Sequence, residues 1–231
     1  MRIRRQTEVT TITTELILVR HGNTIAIHRD YLHAPLTTLG QQQADLTGQY
    51  LAQQQLDVLY NSPLRRARET ADIIGRQIGK TPAIKNGIQE VERLEVSLLA
   101  IAEIASIFDP VEDYLDKHAG IMLHWPIQGR VSRAILEIIA VHPDHRVVVV
   151  AHAGVVSSVL AWMFPEERLK WWRTTVENCS LTQLHIDKTH IELVAVNQIQ
   201  HLLPAKTTAQ PPAPAVEATK TVMEKVKPTN Y

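Results

Sequence analysis

The sequence has a single cysteine, few aromatic side chains and no excess of charge of either sign. Because Cys179 is alone, no internal disulfide can form, and this cysteine usage fits a reducing cytoplasm. The 24 basic and 24 acidic residues cancel, which argues against a nucleic-acid partner or an anionic membrane surface held by a strong basic field. We therefore expect any anionic ligand to be held by a few local cations.

Long hydrophobic runs are also scarce. Residues 1–14 carry charge but lack the apolar core of a secretory signal, and we treat them as an N-terminal extension. The most apolar window, 147–164, begins with four valines and is then broken by AHAG, so it predicts a strand, a tight loop and a helix rather than a membrane span. We expect a cytoplasmic protein with no membrane partner.

Strand-like and helix-like segments alternate along the chain. ELILV and LDVLYNS predict strands, and each is followed by a segment whose apolar residues have helical spacing. RVVVV predicts another strand after the amphipathic helix QGRVSRAILEIIA, and LTQLHID with HIELVAV predicts a hairpin at a sheet edge. This order predicts an α/β fold with a mostly parallel central sheet and helices on both faces.

We expect one catalytic domain over residues 15–203. Between about 87 and 125 the apolar stretch LEVSLLAIAEIASIF and the acidic DPVEDYLD interrupt the alternation, which predicts an inserted helical cap. Residues 204–231 are rich in Pro, Ala, Thr and Lys and predict a disordered tail. The oligomeric state is left open, with a homodimer among the alternatives.

Arginine and histidine side chains stand where several predicted strands end. Arg20 and His21 end the first strand, Arg66 follows the second, and His152 ends the valine strand. Since the carboxyl ends of parallel strands meet at one edge of a sheet, we expect these groups to converge. One guanidinium group can bind two phosphate oxygens at once. A neutral imidazole that lies between two such groups can attack phosphorus. No metal is expected, because the arginines and the second histidine supply positive charge.

The chain resembles the histidine phosphatase superfamily, which includes the cofactor-dependent phosphoglycerate mutases. The resemblance is carried, in order, by LVRHGNT, PLTTLGQQQA, SPLRRARETA, VVVVAHAG and ENCSLTQL, over roughly 15–197. It implies a phosphoglycerate mutase-like fold and a covalent phosphohistidine on His21. It also implies that Arg20 and Arg66 bind the phosphoryl group and that His152 binds and polarises it.

The family patterns also select among neighbouring candidates. The pattern Ser-x-Leu-x-Arg-Ala selects Arg66, so we take Arg65 and Arg68 as surface residues. The family's proton donor follows a hydrophobic residue by two positions, and Glu90 in IQE matches best. Other glutamates close by stay open for this role: Glu92 and Glu95.

Substrate contacts are the next expectation from the resemblance. Asn23 and Thr24 in LVRHGNT, and the backbone amide of Ala153 in AHAG, are expected to bind substrate. Asn23 departs from the Glu or Gln more common there, although an amide can make similar hydrogen bonds. AHAG likewise replaces the commoner Ser-His-Gly-Gly, but the backbone amide is unaffected by this change.

The resemblance implies a metal-independent phosphatase that uses no cofactor. It would hydrolyse phosphomonoesters of small metabolites, taking a small phosphorylated substrate and releasing inorganic phosphate. A 2,3-bisphosphoglycerate-dependent phosphoglycerate mutase is an alternative, ranked lower because the insert is apolar and acidic rather than basic. A noncatalytic phospho-ligand binder is the other alternative, and Asn23 and the open assignment of the acid motivate it.

Overall fold

The computed structural model describes residues 13–25, 33–90, 125–203 and 219–221. The strands are β1 Thr14–Arg20, β2 Val58–Asn61, β3 Ala83–Ile84, β4 Arg146–Ala151, β5 Leu181–Ile186, β6 His190–Gln198 and β7 Thr219–Thr221. The helices are α1 Thr38–Leu51, α2 Arg65–Ile78, α3 Trp125–Val141, α4 Ala153–Met163 and α5 Arg168–Arg173, with short 3-10 turns at Pro165–Glu167 and Gln200–Leu202.

The strands form one sheet of seven in the order β3-β2-β4-β1-β5-β6-β7. β4 pairs in parallel with both β1 and β2, and β2 pairs in parallel with β3. On the other side of β1, β5 is antiparallel and forms with β6 the hairpin that the sequence predicts. The mostly parallel α/β sheet is therefore confirmed, with its antiparallel pairs gathered at one end.

Helices cover both faces of this sheet because its central strands are apolar on both sides. In β1, Leu16 and Leu18 pack in a core with α3, α4 and α5, while Ile17 and Val19 pack in a second core with α1 and α2. The valines of β4 divide between the two cores in the same alternating way. A continuous apolar run is thus what a strand buried between two helical layers requires.

The sequence also predicts an inserted cap and a disordered C-terminal tail. The predicted cap falls mostly on residues 91–124, which lie outside the described residues. In the C-terminal segment, Thr219–Thr221 pairs antiparallel with β6, so the prediction of disorder is wrong for these three residues. The outer edge of β6 offers backbone groups with which an extended segment can pair. Among the helices described, none is long and apolar enough to cross a membrane.

Candidate active site

The candidate site lies where β1, β2 and β4 end on the same edge of the sheet. Arg20 is in register with Ala151, so His21 and His152 leave neighbouring strands side by side. Their ring centroids are 5.2 Å apart in an edge-on arrangement. Ser62 follows β2 and its N–H donates to the carbonyl of Val150, which brings the start of α2 to the same edge. The parallel pairing of three strands thus assembles the site.

His21 is held in one tautomer by its own loop. The ring is 3% exposed, and Nδ1–H donates to the carbonyl oxygen of Gly22 at 2.8 Å, since a carbonyl only accepts. Nε2 therefore carries a lone pair, and it accepts a hydrogen bond from Nε of Arg66 at 3.1 Å. Burial, together with the charges of Arg66 and Arg20, lowers the pKa of His21 to about 3. The imidazole is neutral at physiological pH, as a nucleophile must be.

Arg66 reaches His21 from inside the protein. Its side chain is fully buried in the first turn of α2, whereas Arg65 is exposed and pairs with Glu69 at 2.7 Å. One turn later, Thr70 donates to the carbonyl of Arg66 and accepts from the N–H of Gly22 at 3.0 Å. The threonine therefore fastens the helix that supplies the arginine to the loop that supplies the histidine.

His152 is fully buried and is the residue directly before α4, at its N-cap position. Its Nε2 lies 2.8 Å from the hydroxyl of Ser62, which is also fully buried. Within the described part of the chain, Nδ1 has no hydrogen-bond partner. Burial lowers the pKa of His152 well below its usual value, and the neighbouring His21, Arg66 and Arg20 lower it further.

Arg20 is anchored by the segment that precedes β5. Its Nη1 donates to the carbonyl of Val176, and the N–H of Cys179 donates to the carbonyl of Arg20 at 2.8 Å. Asn178 in the same segment donates from Nδ2 to the carbonyl of His21 at 2.8 Å. Burial raises the pKa of the Cys179 thiol to about 12, so this cysteine is inert and packs as an apolar residue.

Glu90 reaches the same helix N-terminus as His152. Its Oε2 accepts a hydrogen bond from the N–H of Gly154 at 3.1 Å, and a Cβ at Gly154 would collide with Oε1. Ala153 is the first residue of α4, where helix N–H groups favour a negatively charged ligand. The other acidic candidates, Glu92 and Glu95, lie outside the described residues.

Asn23 and Thr24 attach the loop after β1 to the start of α1. The side-chain oxygen of Asn23 accepts from the hydroxyl of Thr37 at 2.8 Å, and its N–H donates to Oε1 of Gln43 at 2.9 Å. Thr24 forms an isolated bridge with Leu36. Thr37 also caps α1 by accepting from the N–H of Gly40. These contacts give both residues an anchoring role, and substrate contact by them stays a prediction.

Sequence reasoning did not assign roles to Ser62 or Asn178, although both lie inside the quoted motifs. The sequence indicates their roles only weakly, because each is a small polar residue beside a strand and its hydrogen-bond partner is distant along the chain. The hydrogen bonds to His152 and to the His21 carbonyl show what they hold.

The arrangement has the chemical groups of a phosphoryl-transfer site. Arg20 and Arg66 supply guanidinium groups, His21 supplies a neutral imidazole, and Ala153 supplies a backbone N–H at the start of α4 beside His152. In the residues described, no three His, Cys, Asp or Glu side chains lie close enough together to hold a metal ion.

Comparison with known proteins shows the family. The model of the histidine phosphatase superfamily (branch 1) matches residues 16–199. The mitochondrial serine/threonine-protein phosphatase Pgam5 of Caenorhabditis briggsae is 30% identical over 207 residues, which are 85% of this chain and 67% of that protein. A putative phosphoserine phosphatase 2 of Hydrogenobacter thermophilus is 24% identical, over 80% of this chain and 96% of that protein.

Solved structures show the same fold. A mutant phosphoserine phosphatase from Entamoeba histolytica, crystallised with phosphoserine, has a TM-score of 0.64 and 22% identity, and the match covers 82% of this chain and 100% of that one. The chain belongs to the histidine phosphatase superfamily, branch 1, and the resemblance stated from the motifs is confirmed. It is a phosphoric monoester hydrolase of the histidine phosphatase type.

Proposed function

We propose that the protein hydrolyses phosphomonoesters of small metabolites through a covalent phosphohistidine on His21. The observation that carries this proposal is the pair of hydrogen bonds on the His21 ring. The Gly22 carbonyl holds the proton on Nδ1, and the guanidinium of Arg66 lies at the lone pair of Nε2. The proposed nucleophile, Nε2 of His21, and the proposed phosphate-binding group, the guanidinium of Arg66, are therefore next to each other before substrate binds.

The first step forms one bond and breaks another. Nε2 of His21 attacks phosphorus, and the bond between phosphorus and the ester oxygen breaks as the alcohol leaves. Glu90 gives its proton to that oxygen. Arg20, Arg66, His152 and the backbone N–H of Ala153 stabilise the charge on the other phosphoryl oxygens.

The second step reverses the roles. Glu90, now a carboxylate, takes a proton from water, whose oxygen attacks phosphorus while the bond from phosphorus to Nε2 breaks. Inorganic phosphate leaves, and His21 returns to its neutral state. The chemistry needs no cofactor and no metal ion in this proposal.

The substrate class is part of the proposal. The support for small phosphorylated metabolites is that one relative is named a phosphoserine phosphatase and that a protein of the same fold was crystallised with phosphoserine. A phosphoserine or phosphothreonine protein is the second candidate, because the relative at 30% identity is named a serine/threonine-protein phosphatase. Both candidates present a phosphorylated hydroxyl group to the site.

The test is release of inorganic phosphate in excess EDTA. The panel includes p-nitrophenyl phosphate, free phosphoserine, 3-phosphoglycerate and a phosphoserine peptide, each with the unmodified protein and with His21→Ala. We expect turnover that survives EDTA and is lost in His21→Ala, with the free metabolites preferred over the peptide. No release from any ester overturns the proposal, and conversion of 3-phosphoglycerate to its 2-phospho isomer favours the mutase reading instead.

The domain bounds, the cellular location and the oligomeric state are also part of the proposal. We place the catalytic domain at residues 15–203, with a cap over about 87–125 and with the tails outside it except for the strand Thr219–Thr221, and we infer a cytoplasmic location without a nucleic-acid or membrane partner. The worm relative is named as mitochondrial. Fractionation against a mitochondrial marker decides the location, and light scattering decides whether the protein is a homodimer.

A further inference from the structure

The segment that carries Glu90 lies directly on α3. Gly87 has a φ of +95°, and a Cβ there would come within 2.8 Å of the Cβ of Ala134 on that helix. Ile88 is fully buried in the core shared by α3 and α4. The backbone from Gly87 to Glu90 is therefore held against the helix on one side of the segment.

Arg130 holds the residue next to Glu90 by two hydrogen bonds. From α3, its Nη1 donates to Oε1 of Gln89 at 2.9 Å and its Nη2 donates to the backbone carbonyl of Gln89 at 2.8 Å. The same Oε1 accepts from the N–H of Gly87 at 2.8 Å. A planar guanidinium can donate to two oxygens at once in this geometry, and the ammonium group of a lysine cannot reproduce the two hydrogen bonds.

We propose that Arg130 is a positioning residue for the proton transfer, acting through Gln89 to keep the Glu90 carboxyl at the N-terminus of α4 beside His152. The inference rests on the proposed function, in which Glu90 is the proton donor. Glu90 follows Gln89 directly, and its carboxyl lies on Gly154 at the start of α4. Without these two hydrogen bonds, Gln89 is held less firmly on α3, and the carboxyl of Glu90 is held less firmly at the start of α4.

A second observation places Arg130 in electrostatic contact with the site. Its charge contributes to the low pKa of His152, after burial and the charges of His21, Arg66 and Arg20. A loss of this charge alone would affect phosphate binding for every substrate equally. A loss of positioning would affect only substrates that need a proton, and this difference makes the two roles separable.

The experiment compares kcat/KM for p-nitrophenyl phosphate and phenyl phosphate. The nitrophenolate is a weak base and leaves without a proton, whereas the phenolate is a stronger base and gains more from the acid. Because the two esters have similar shapes, the ratio of their kcat/KM values reports proton donation in the first step. The variants are Arg130→Met and Arg130→Lys, and the control is Arg133→Met, which removes an exposed arginine one turn along the same helix.

We expect Arg130→Met to lower kcat/KM for phenyl phosphate about tenfold more than for p-nitrophenyl phosphate, as expected for a misplaced acid. Arg130→Lys should show a smaller change of the same sign, and Arg133→Met should leave the ratio unchanged. If Arg130→Met does not fold, Arg130→Lys is the test, and the proposal then requires the ratio of the two kcat/KM values to change by about threefold or more. An unchanged ratio in the folded Arg130 variants overturns the proposal.

Glu90→Gln separates this inference from the proposed function. We expect it to lower kcat/KM for phenyl phosphate by about 100-fold, within the usual range for a general acid, and to spare p-nitrophenyl phosphate. If Glu90→Gln leaves the ratio unchanged, the assignment of Glu90 as proton donor is wrong. If Glu90→Gln changes the ratio and the Arg130 variants do not, only the role of Arg130 is wrong.

Discussion

Nε2 of His21 stays free of a proton because two hydrogen bonds and burial act on one ring. The Gly22 carbonyl holds the proton on the other nitrogen, Arg66 occupies the lone pair, and burial disfavours the charged form. The same arginine would bind a phosphoryl oxygen when substrate enters. The hydrogen bond from Arg66 must break before Nε2 can attack, but the loop and helix that carry the two side chains are already in place before the substrate arrives.

Replacement of Arg66 by lysine should disable the site although the charge is kept. Arg66→Lys loses the planar fork in a fully buried position, and we expect kcat/KM for p-nitrophenyl phosphate to fall about 100-fold or more. The matched control is Arg65→Lys, one residue earlier on the exposed side of α2, which should stay within about twofold of the unmodified protein. Similar losses in both variants would contradict the account of Arg66.

At this scale the motifs predict which residues come together but not how they are held. Arg20, His21 and His152 could be predicted because each lies at the end of an apolar strand, whereas Arg66 could be selected from three neighbouring arginines only by the family pattern. Arg130 could not, since an arginine in an amphipathic helix is ordinarily a surface residue and its partner Gln89 lies 41 positions away.

The loop after β1 and the first turn of α1 are in direct backbone contact. A Cβ at Gly40 would come within 2.8 Å of the backbone nitrogen of Asn23 and would collide with its carbonyl, and a Cβ at Gly22 would collide with the carbonyl of Gly40. Both glycines are buried. The close approach lets Thr37 and Gln43 of this region hold Asn23, and through it the exit of β1.

Gly40→Ala should therefore destabilise the protein even though alanine favours helix. Since backbone atoms on both sides cannot move away cheaply, we expect the free energy of unfolding to fall by about 2 kcal/mol or more in a urea titration. Gly129→Ala in α3 is the control, because nothing lies within 4 Å of its Cβ position. It should raise stability by up to about 1 kcal/mol, and a stabilising Gly40→Ala would contradict the described contact.

Among the secondary-structure elements, the strands are easier to predict from the sequence than the segments between them. Continuous runs such as the β4 valines indicate a strand covered on both faces, and the β5–β6 hairpin follows from alternation around a short turn. The pairing of Thr219–Thr221 with β6 could not be predicted, because it depends on an available sheet edge far along the chain rather than on the composition of the tail.

The whole molecule should lose stability in acid partly because of its active site. The pKa of His21 is lowered from 6.5 to about 3 by burial, so the unfolded chain binds a proton between these values while the folded protein does not. Stability contributed by the neutral ring is therefore full above the unfolded pKa and declines as the pH falls below it. For His21 alone the loss is about 2 kcal/mol at about pH 5.

The measurement is urea unfolding across pH about 7 to about 5, with the unmodified protein and His21→Asn. We expect the variant to lose less stability over this interval, because asparagine does not titrate. Parallel pH profiles of the two proteins would show that His21 is not held neutral by the fold.

Phosphorylation of His21 during turnover can be detected by rapid quench. The protein is mixed with excess p-nitrophenyl phosphate, stopped in alkali and analysed for phosphate bound to the peptide that contains residue 21, with His21→Asn in parallel. We expect an acid-labile, alkali-stable phosphate on His21 that forms and decays fast enough to account for turnover. Turnover without labelling, or labelling that persists in His21→Asn, would contradict the account.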